Sequence, residues 1–456
     1  MKRTALVFAA VAVVASLGEA PRARASEAVR VAARAAAPAA PLPAYREGEV
    51  IVEFRAGTRE LDVERAVRAA RGVRARSHGG APRYLVSLEA GAPVAEAVRR
   101  LQALPEVAYA EPNTMARAFQ REGHFAPNDR LYGLQWHLRM VDSERTWGIQ
   151  RGDASVVVAV LDSGIAYEDF GVFRKAPDFG TTRFVAGFDF VNGDTHANDD
   201  NFHGTHVASV IAESTDNAEG VAGLAFGTAI MPVKVLDEEG TGSFFDIAAG
   251  VDFAVSNGAK VINLSLGTDT CTGSNTTMAN AVNRAVAAGV TVVAAAGNEG
   301  DVNPCVKFPA RLPNVIAVGA VDGRKARAPY SDFGNELDLV APGGDLDRDD
   351  TGTDGRPDGR PDGILQQTFD PDTAFFDGRY DDFAYFFVVG TSQAAPHVSA
   401  LASLLYRQGI TDPVAIQRAI ELTAEDLGAA GRDDQFGHGL IRPSVALSGL
   451  GLNQQP

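Results

Sequence analysis

The sequence has few cysteines, no long apolar run and no excess of positive charge. Cys271 and Cys305 are its only cysteines, which excludes a disulfide-dense scaffold, and without further Cys or His nearby they do not indicate a zinc site. The longest apolar run, from Ala5 to Leu17, has 13 residues, whereas a membrane-spanning helix needs ~20. Lys and Arg total 42 against 58 Asp and Glu, a net charge of −16, and this balance argues against a nucleic-acid-binding protein, which would normally have a basic surface.

The chain has ample apolar material, and its charge is unevenly distributed. Hydrophobic residues make up 45% of the 456 residues and charged residues 22%, which predicts a large core divided over two or three domains. Residues 1–128 carry a net charge of +6, and residues 129–456 carry −22. This asymmetry suggests that the two parts attract each other or that one of them is removed.

The first 25 residues are typical of a secretory signal peptide. Lys2 and Arg3 precede the apolar run, and Ala23-Arg24-Ala25 supplies a small-residue cleavage site. We therefore expect an extracellular or periplasmic protein without a stable membrane anchor. In such a compartment Cys271 and Cys305 are predicted to form a disulfide, although the sequence leaves open that they stay unpaired.

Residues 26–45 resemble a linker, and residues 46–115 predict a small α+β domain. Apolar alternation predicts strands at 49–54, 84–88 and 107–110, and helical spacing predicts helices at 61–70 and 94–104. The resulting β-α-β-α-β order, with room for one more short strand, suits a helix-and-sheet sandwich. Residues 116–134 follow as a connector.

Residues 135–450 predict an α/β domain. Short apolar runs at 156–161, 230–236, 261–266, 290–295, 315–321 and 337–341 alternate with helical stretches, which is typical of a parallel sheet covered on both faces. Residues 343–382 interrupt this pattern with twelve acidic and four basic residues and repeated Asp-Gly pairs. We interpret them as an inserted acidic loop.

Three segments in this domain carry side chains suited to nucleophilic catalysis. A strand ends at Asp162, a helix is predicted to open at His203, and another to open near Ser392, with Pro396 expected in its first turn. An imidazole that takes the serine proton and a carboxylate that orients the imidazole would activate the hydroxyl. Each residue alone also fits a capping or structural role, but the three together in this order indicate a catalytic triad.

These segments closely resemble those of the subtilases, the subtilisin-like serine endopeptidases. The resemblance implies a three-layer fold around a mainly parallel, seven-stranded sheet. It assigns Asn298 to the oxyanion hole. It also implies a specificity pocket with two walls, one formed by Ser265, Leu266 and Gly267 and the other by Ala295, Ala296 and Gly297. An edge strand that includes Gly240 and Gly242 would bind the substrate by β-pairing. No catalytic cofactor is implied.

Several positions depart from the family pattern. Gln393 follows the serine where Met is usual, which removes an oxidisable thioether. Phe202 precedes the motif histidine where Gly is common, and Ser209 and Ala400 also replace glycines. Lys307 falls near the expected base of the specificity pocket. These changes affect packing and substrate fit rather than the triad.

The small N-terminal domain resembles the prodomain of secreted subtilases, most clearly over Val107-Ala-Tyr-Ala-Glu-Pro-Asn113. The resemblance implies a monomeric zymogen whose prodomain acts as an intramolecular chaperone and inhibitor. A slow-folding parallel sheet would benefit from such a template, and the opposite charges of the two parts would assist their docking. Processing is expected between Asn113 and Asp129.

The acidic insert also suggests a structural calcium site. Asp350, Asp354 and Asp358 partly follow an oxygen-ligand loop, although a Gly stands at its third position and no Glu closes it. A solvated loop without calcium is the competing interpretation. Asp199 and Asp200 form a second candidate pair, with a role in shaping the cleft as the alternative.

Two other functions remain to be separated from a peptidase. One is a catalytically silent binding protein on the same scaffold, which the complete triad opposes. The other is an α/β-hydrolase esterase, which the absence of a Gly-x-Ser-x-Gly elbow at Ser392 opposes.

Overall fold

The computed structural model describes residues 45–77, 82–114, 124–272, 274–349 and 359–449. These residues form two compact units that divide near residue 121. The predicted signal peptide, nearly all of the predicted linker and residues 115–123 of the connector lie outside the described residues. Of the helices among the described residues, none is long and apolar enough to cross a membrane.

The first unit is a four-stranded antiparallel sheet with two helices. The strand order is β2-β3-β1-β4, and the alternating burial along β1 places Val50, Val52 and Phe54 in the core. The predicted β-α-β-α-β order is confirmed, and the additional strand is β2. The elements are Tyr45–Phe54 (β1), Glu60–Ala69 (α1), Gly72–Arg76 (β2), Arg83–Leu88 (β3), Val94–Gln102 (α2) and Val107–Thr114 (β4).

The second unit is built on a seven-stranded parallel sheet with the order β11-β10-β9-β8-β5-β7-β6. The sheet strands are Val157–Asp162 (β5), Phe188–Asp189 (β6), Ala229–Lys234 (β7), Val261–Leu264 (β8), Thr291–Ala295 (β9), Val315–Val321 (β10) and Leu339–Pro342 (β11). The helices are Trp136–Met140 (α3), Ser143–Ile149 (α4), His203–Ala212 (α5), Phe244–Ser256 (α6), Thr276–Ala287 (α7), Pro371–Asp377 (α8), Thr391–Arg407 (α9), Pro413–Thr423 (α10) and Pro443–Ser448 (α11).

The sheet is buried on both faces, which explains the continuous apolar runs in the sequence. Helices α5 and α9 pack on one face, and α6 and α7 pack on the other. Every residue of β7, β8, β9, β10 and β11 is buried. All six predicted strand segments are confirmed, and so is the three-layer α/β class.

The interpretation of residues 343–382 as one acidic loop is wrong for its second half. Ile364–Phe369 (β12) and Phe383–Val388 (β13) form an antiparallel hairpin with α8 between them, and β12 is fully buried and contacts α5. The sequence did not predict β12, because Gln366 and Gln367 interrupt its apolar pattern. Both glutamines are nevertheless buried, since Gln366 donates to the Ala222 carbonyl and Gln367 accepts from the Asp178 N–H.

Candidate active site

A buried carboxylate and a histidine meet where β5 ends. Asp162 is the last residue of β5 and is fully buried, and its Oδ1 lies 2.7 Å from Nδ1 of His203, the first residue of α5. The close approach depends on Gly204, because a Cβ there would lie 2.1 Å from the carbonyl oxygen of Gly164. The structure thus brings together two residues that the sequence separates by a long loop.

The environment of His203 raises its pKa above the usual value of 6.5. Burial acts to lower this pKa, but the charge and hydrogen bond of Asp162, with the charge of Asp199, outweigh it. The second carboxylate oxygen of Asp162, Oδ2, has no hydrogen-bond partner. The pair therefore favours an imidazolium more than free histidine does, as a base that must receive a proton requires.

Asp199 holds the loop that leads into α5. Its Oδ1 accepts hydrogen bonds from Ser163 Oγ at 2.8 Å and from the backbone of Phe202 at 3.1 Å, and its Oδ2 accepts from Thr205 N at 2.9 Å. A carboxylate at a helix N-terminus is also stabilised by the helix dipole. This support holds Phe202 at a φ of +96°, a conformation that glycine adopts more readily.

Lys234 supports the loops next to Asp162, a role that the sequence analysis did not predict. It ends β7 directly beside Asp162, is buried, and donates to Asp200 Oδ1 at 2.5 Å and to the carbonyl oxygen of Ser163 at 2.7 Å. Burial raises the pKa of Asp200 to about 6 although Lys234 acts to lower it. A lysine at the end of an otherwise apolar strand was the available signal.

Ser392 is the second residue of α9, and Pro396 lies in the second turn of that helix rather than the first. Pro396 has no N–H to donate to the Ser392 carbonyl four residues earlier. That carbonyl instead accepts a hydrogen bond of 2.8 Å from Ser265 Oγ, and Ser392 Oγ donates in return to the Ser265 carbonyl at 3.2 Å. These two hydrogen bonds between Ser265 and Ser392 therefore join the start of α9 to the residue that follows β8.

Among the described hydrogen bonds, none joins Ser392 Oγ to His203. The two side chains line adjoining depressions that share Leu266 and Gly267, a groove of about 640 Å³ on the His203 side and a pocket of about 260 Å³ on the Ser392 side. Catalytic hydrogen bonds are often long without substrate and tighten when it binds. His203 and Ser392 thus line adjoining parts of one cleft, and buried Asp162 contacts His203.

Asn298 lies in the same pocket as Ser392, and its orientation is fixed. Its side-chain oxygen accepts hydrogen bonds from the backbone N–H and the hydroxyl of Thr391, each at 2.8 Å. With its oxygen held in this way, the amide nitrogen is the end available to a ligand. An N–H donor next to a serine at a helix N-terminus is suited to stabilise a developing oxyanion.

The predicted pocket walls are mostly where they were expected. Leu266 and Gly267 line one side of the pocket, Ala295 and Gly297 line the other, and Ser265 borders the groove. Ala296 is fully buried and is not among the residues that line the pocket, so its assignment to substrate binding stays a prediction.

Residues 239–243, predicted to be an edge strand that pairs with substrate, do not pair with another strand of the structure. Gly240 and Gly242 do border the groove, but the segment forms a turn closed by hydrogen bonds between Asp237 and Thr241. Asp237 Oδ1 accepts from the backbone and hydroxyl of Thr241, and this side-chain turn competes with extended pairing.

The predicted disulfide is confirmed, because Cys271 and Cys305 are bonded with their Cα atoms 5.7 Å apart. Gln393 is buried next to Ser392. The predicted calcium ligands Asp350, Asp354 and Asp358 lie outside the described residues.

The carboxylates of Asp199 and Asp200, the second candidate pair for calcium, contact Ser163, Thr205 and Lys234. Across the part of the chain that the structure describes, no group of three or more His, Cys, Asp or Glu side chains is arranged to hold a metal ion. Asp129 and Asp178 are two further carboxylates close enough to interact electrostatically, and Asn217 Nδ2 donates to Asp178 Oδ1 at 2.7 Å. Burial raises the pKa of both carboxyls, and Asp129 Oδ1 has no hydrogen-bond partner.

The site combines a carboxylate–imidazole pair with a serine at the start of a helix, at the carboxyl edge of a parallel sheet. These features are typical of serine hydrolases with an α/β fold. The chain belongs to the subtilase family, whose model matches residues 153–439, and residues 31–113 match the fervidolysin N-terminal prodomain. It is therefore a subtilisin-like serine endopeptidase with an N-terminal prodomain.

Similar proteins span most of the chain. A thermophilic serine proteinase of Bacillus sp. (strain AK1) is 35% identical over 86% of each chain. Thermitase of Thermoactinomyces vulgaris is 33% identical over 67% of this chain and 94% of its own. A solved protease structure from Pseudoalteromonas arctica PAMC 21717 aligns with a TM-score of 0.60 and 29% identity, covering 71% of this chain and 99% of that one.

Proposed function

We propose that the protein cleaves peptide bonds through an acyl-enzyme formed on Ser392, with His203 as general base and acid and Asp162 as its orienting carboxylate. The observation that carries the proposal is the 2.7 Å contact between buried Asp162 and His203 in a cleft that also contains Ser392 and Asn298. Peptide substrates are expected to bind in the groove and the adjoining pocket.

The first step transfers the Ser392 hydroxyl proton to His203 as the oxygen attacks the carbonyl carbon of the substrate. Asp162 holds the Nδ1–H tautomer and stabilises the imidazolium, while Asn298 and the N-terminus of α9 stabilise the oxyanion. His203 then gives the proton to the departing amine. Water attacks the acyl-enzyme by the same route and regenerates Ser392.

The protein is proposed to be a secreted, monomeric zymogen that removes its own prodomain, residues 46–115. The match to a prodomain supports this reading, as does the leader at residues 1–25. Electrostatic attraction contributes less than the sequence suggested, because residues 45–114 carry eleven basic and ten acidic side chains and most of the basic excess precedes them.

The experiment that tests the proposal compares the secreted wild type with Ser392→Ala. The wild type should react with a fluorophosphonate and should begin, by N-terminal sequencing, between residues 113 and 129. Ser392→Ala should not be labelled and should keep residues 26–115 attached. Labelling that survives Ser392→Ala would contradict the assignment of the nucleophile.

Two rivals give different results in the same preparations. A catalytically silent binding protein would neither label nor cleave casein. An esterase would hydrolyse small esters and leave casein intact, whereas a subtilase cleaves both.

We also propose that structural calcium, where it is bound, is held near Asp129 and Asp178 rather than at Asp199 and Asp200. Two buried carboxylates with an unpartnered oxygen fit a hard cation, which would offset their burial. Its role would be to stabilise the loop that carries Asn217, with no part in the chemistry. Chelation should lower the Tm of the wild type and should not change that of Asp129→Asn.

A further inference from the structure

Two neighbouring segments of the second unit expose large apolar side chains to solvent. On α8, Phe375 is 78% exposed and Phe376 is 76% exposed, and their rings contact each other edge to face at 5.1 Å. Phe170 and Val172 are exposed on a tight turn, which is closed by backbone hydrogen bonds between Phe170 and Phe173. We call the group Phe170, Val172, Phe375 and Phe376 the Phe375 surface.

The two segments contact each other through Phe173 and Tyr380, whose ring centroids are 4.8 Å apart and whose backbones form an isolated bridge. Four of the ten large apolar side chains exposed in the described part of the second unit lie on the segments that this contact joins. Single exposed apolar side chains need no explanation, whereas a group of them indicates a binding surface.

The Phe375 surface adjoins the groove of the candidate active site. At the end of β12, Thr368 Oγ1 donates to the carbonyl oxygen of Phe202 at 2.8 Å, and Phe202 lines the groove. On the other side of α8, burial raises the pKa of Tyr380, and the nearby charges of Asp200 and Glu238 raise it further. A long peptide that occupies the groove can therefore continue onto α8.

The helix that carries Phe375 and Phe376 is held in place by contacts of its own. Asp370 Oδ1 accepts hydrogen bonds from the backbone of Asp372 at 2.8 Å and of Thr373 at 3.3 Å. Ala374 is buried, and Gly378 ends the helix at a φ of +62°. Because the surface is preformed, a ligand need not supply the free energy of ordering it.

The charge around α8 is negative and largely unpaired. Residues 370–382 contain five Asp and one Arg, and Arg379 lies 3.1 Å from Asp381. Asp372, Asp377 and Asp382 are exposed, and none of the ion pairs among the described residues includes them. Apolar rings surrounded by carboxylates complement a peptide that carries both apolar and basic side chains, and they oppose the anionic surface of a membrane.

We propose that the Phe375 surface is a second binding site for protein substrates, which holds a segment rich in apolar and basic side chains while another part of the same chain is cleaved at Ser392. This inference rests on the proposed function of the cleft. The apolar side chains of the segment would cover Phe375 and Phe376, and its Lys or Arg side chains would lie beside the carboxylates. Binding at this site raises the effective concentration of the substrate at the cleft.

The test measures peptide binding to mature enzyme whose Ser392 is blocked by a fluorophosphonate, so that the peptide is not cleaved. Fluorescence anisotropy gives the Kd of three labelled peptides of equal length, in which Arg alternates with Phe, Arg with Ser, or Glu with Phe. The peptide of Arg and Phe should bind most tightly. Phe375→Ser/Phe376→Ser should weaken its binding about 10-fold, as expected for the loss of aromatic anchors.

Two sets of variants separate the parts of the proposal. Phe245→Ser removes a phenylalanine that is 77% exposed and lies outside the Phe375 surface, and this matched control should keep the wild-type Kd. Asp372→Asn/Asp377→Asn/Asp382→Asn should weaken binding of the peptide of Arg and Phe and make it less sensitive to salt. Unblocked enzyme of every variant should retain the wild-type kcat/KM on a tetrapeptide p-nitroanilide, which shows that it is folded.

An equal Kd for the peptide of Arg and Phe in the wild type and in Phe375→Ser/Phe376→Ser would overturn the inference, and so would equally tight binding of the peptide of Glu and Phe. A wild-type dimer, or attachment to phosphatidylcholine vesicles, that the double variant loses would also overturn it, because a second copy or a membrane would then cover the surface. A wild type that neither labels nor cleaves any peptide refutes the proposed function itself. Labelled enzyme whose binding ignores these substitutions refutes only the second site.

Discussion

The two units of the chain differ in where they keep their charged groups. Within residues 45–77 and 82–114, no charged side chain is buried, and opposite charges pair at the surface, as Arg83 does with Glu53. The second unit buries Asp162, Lys234, Lys307 and Asp332 almost completely. Burying charge is costly unless partners are supplied, and these residues all lie around the cleft. The second unit therefore accepts such costs around its cleft and also elsewhere, as at Asp178 and Glu213, whereas the first unit does not.

The same contrast appears in the strands. Residues of β1 alternate between buried and partly exposed, whereas β8 and β9 are buried throughout. In the first unit only one face of the sheet needs to be covered, whereas the parallel sheet of the second unit needs helices on both faces. Substitutions of the buried charged residues of the second unit should therefore have large effects, and substitutions of surface charges, including those of the first unit, should have small ones.

The largest effect expected here is that of Asp162→Asn. Loss of the orienting carboxylate should lower kcat/KM by about 10⁴-fold. The acid limb of the wild-type profile should lie above pH 6.5, because His203 must be neutral to act and its pKa is raised. Asp162→Asn removes the main influence that raises this pKa, so the limb should move to lower pH.

The measurement is kcat/KM against pH for both enzymes. Asp252→Asn, which alters an exposed pair with Arg284, should retain the wild-type profile. An acid limb that stays in place in Asp162→Asn would contradict the assigned partner.

Lys234→Met should cause the next largest loss, in stability rather than in chemistry. The substitution leaves Asp200 partly buried without its ammonium partner, and breaking a buried pair in this way costs about 3–5 kcal/mol. Urea denaturation measures the change. Lys325→Met breaks a surface pair in the same unit and should have little effect; equal losses in the two variants would mean that burial does not decide the outcome.

Asn298→Ala should lower kcat by about 10²–10³-fold with little change in KM, a magnitude already established for removal of this donor in subtilisin. The reason is that an oxyanion forms only in the transition state. The test is a comparison of kcat and KM on one peptide substrate. A variant in which KM rises while kcat stays the same would show that Asn298 contributes to substrate binding rather than to stabilising the transition state.

The smallest effect is expected for Arg83→Gln in the first unit. Arg83 and Glu53 are 2.8 Å apart but exposed, and surface pairs of this kind contribute little. In a Ser392→Ala chain that retains this unit, we expect an unchanged thermal unfolding midpoint. A large drop would remove the contrast between the two units.

Sequence patterns predicted the features that depend on periodicity or on short motifs. Most strands of the two units, the positions of Asp162, His203 and Ser392, and the disulfide pair were accessible in this way. They are set by local apolar patterning and by residues whose chemistry identifies them.

The features that sequence missed depend on contacts between distant segments. Lys234 could be assigned only when β5 and β7 were seen side by side. Pro396 was misplaced because the hydroxyl that satisfies the freed carbonyl comes from Ser265, far away in the chain. The strand β12 was hidden because its glutamines find their partners in other loops.

The position of α9 has a consequence for the timing of biosynthesis. This helix packs against β8, β9, β10 and β11 and carries Ser392 near the end of the chain, while Asp162 and His203 are synthesised much earlier. A chain emerging from a ribosome or an export channel cannot assemble the three residues until α9 has followed. The order of the segments therefore implies that the proposed active site cannot form before the last part of the chain has been synthesised.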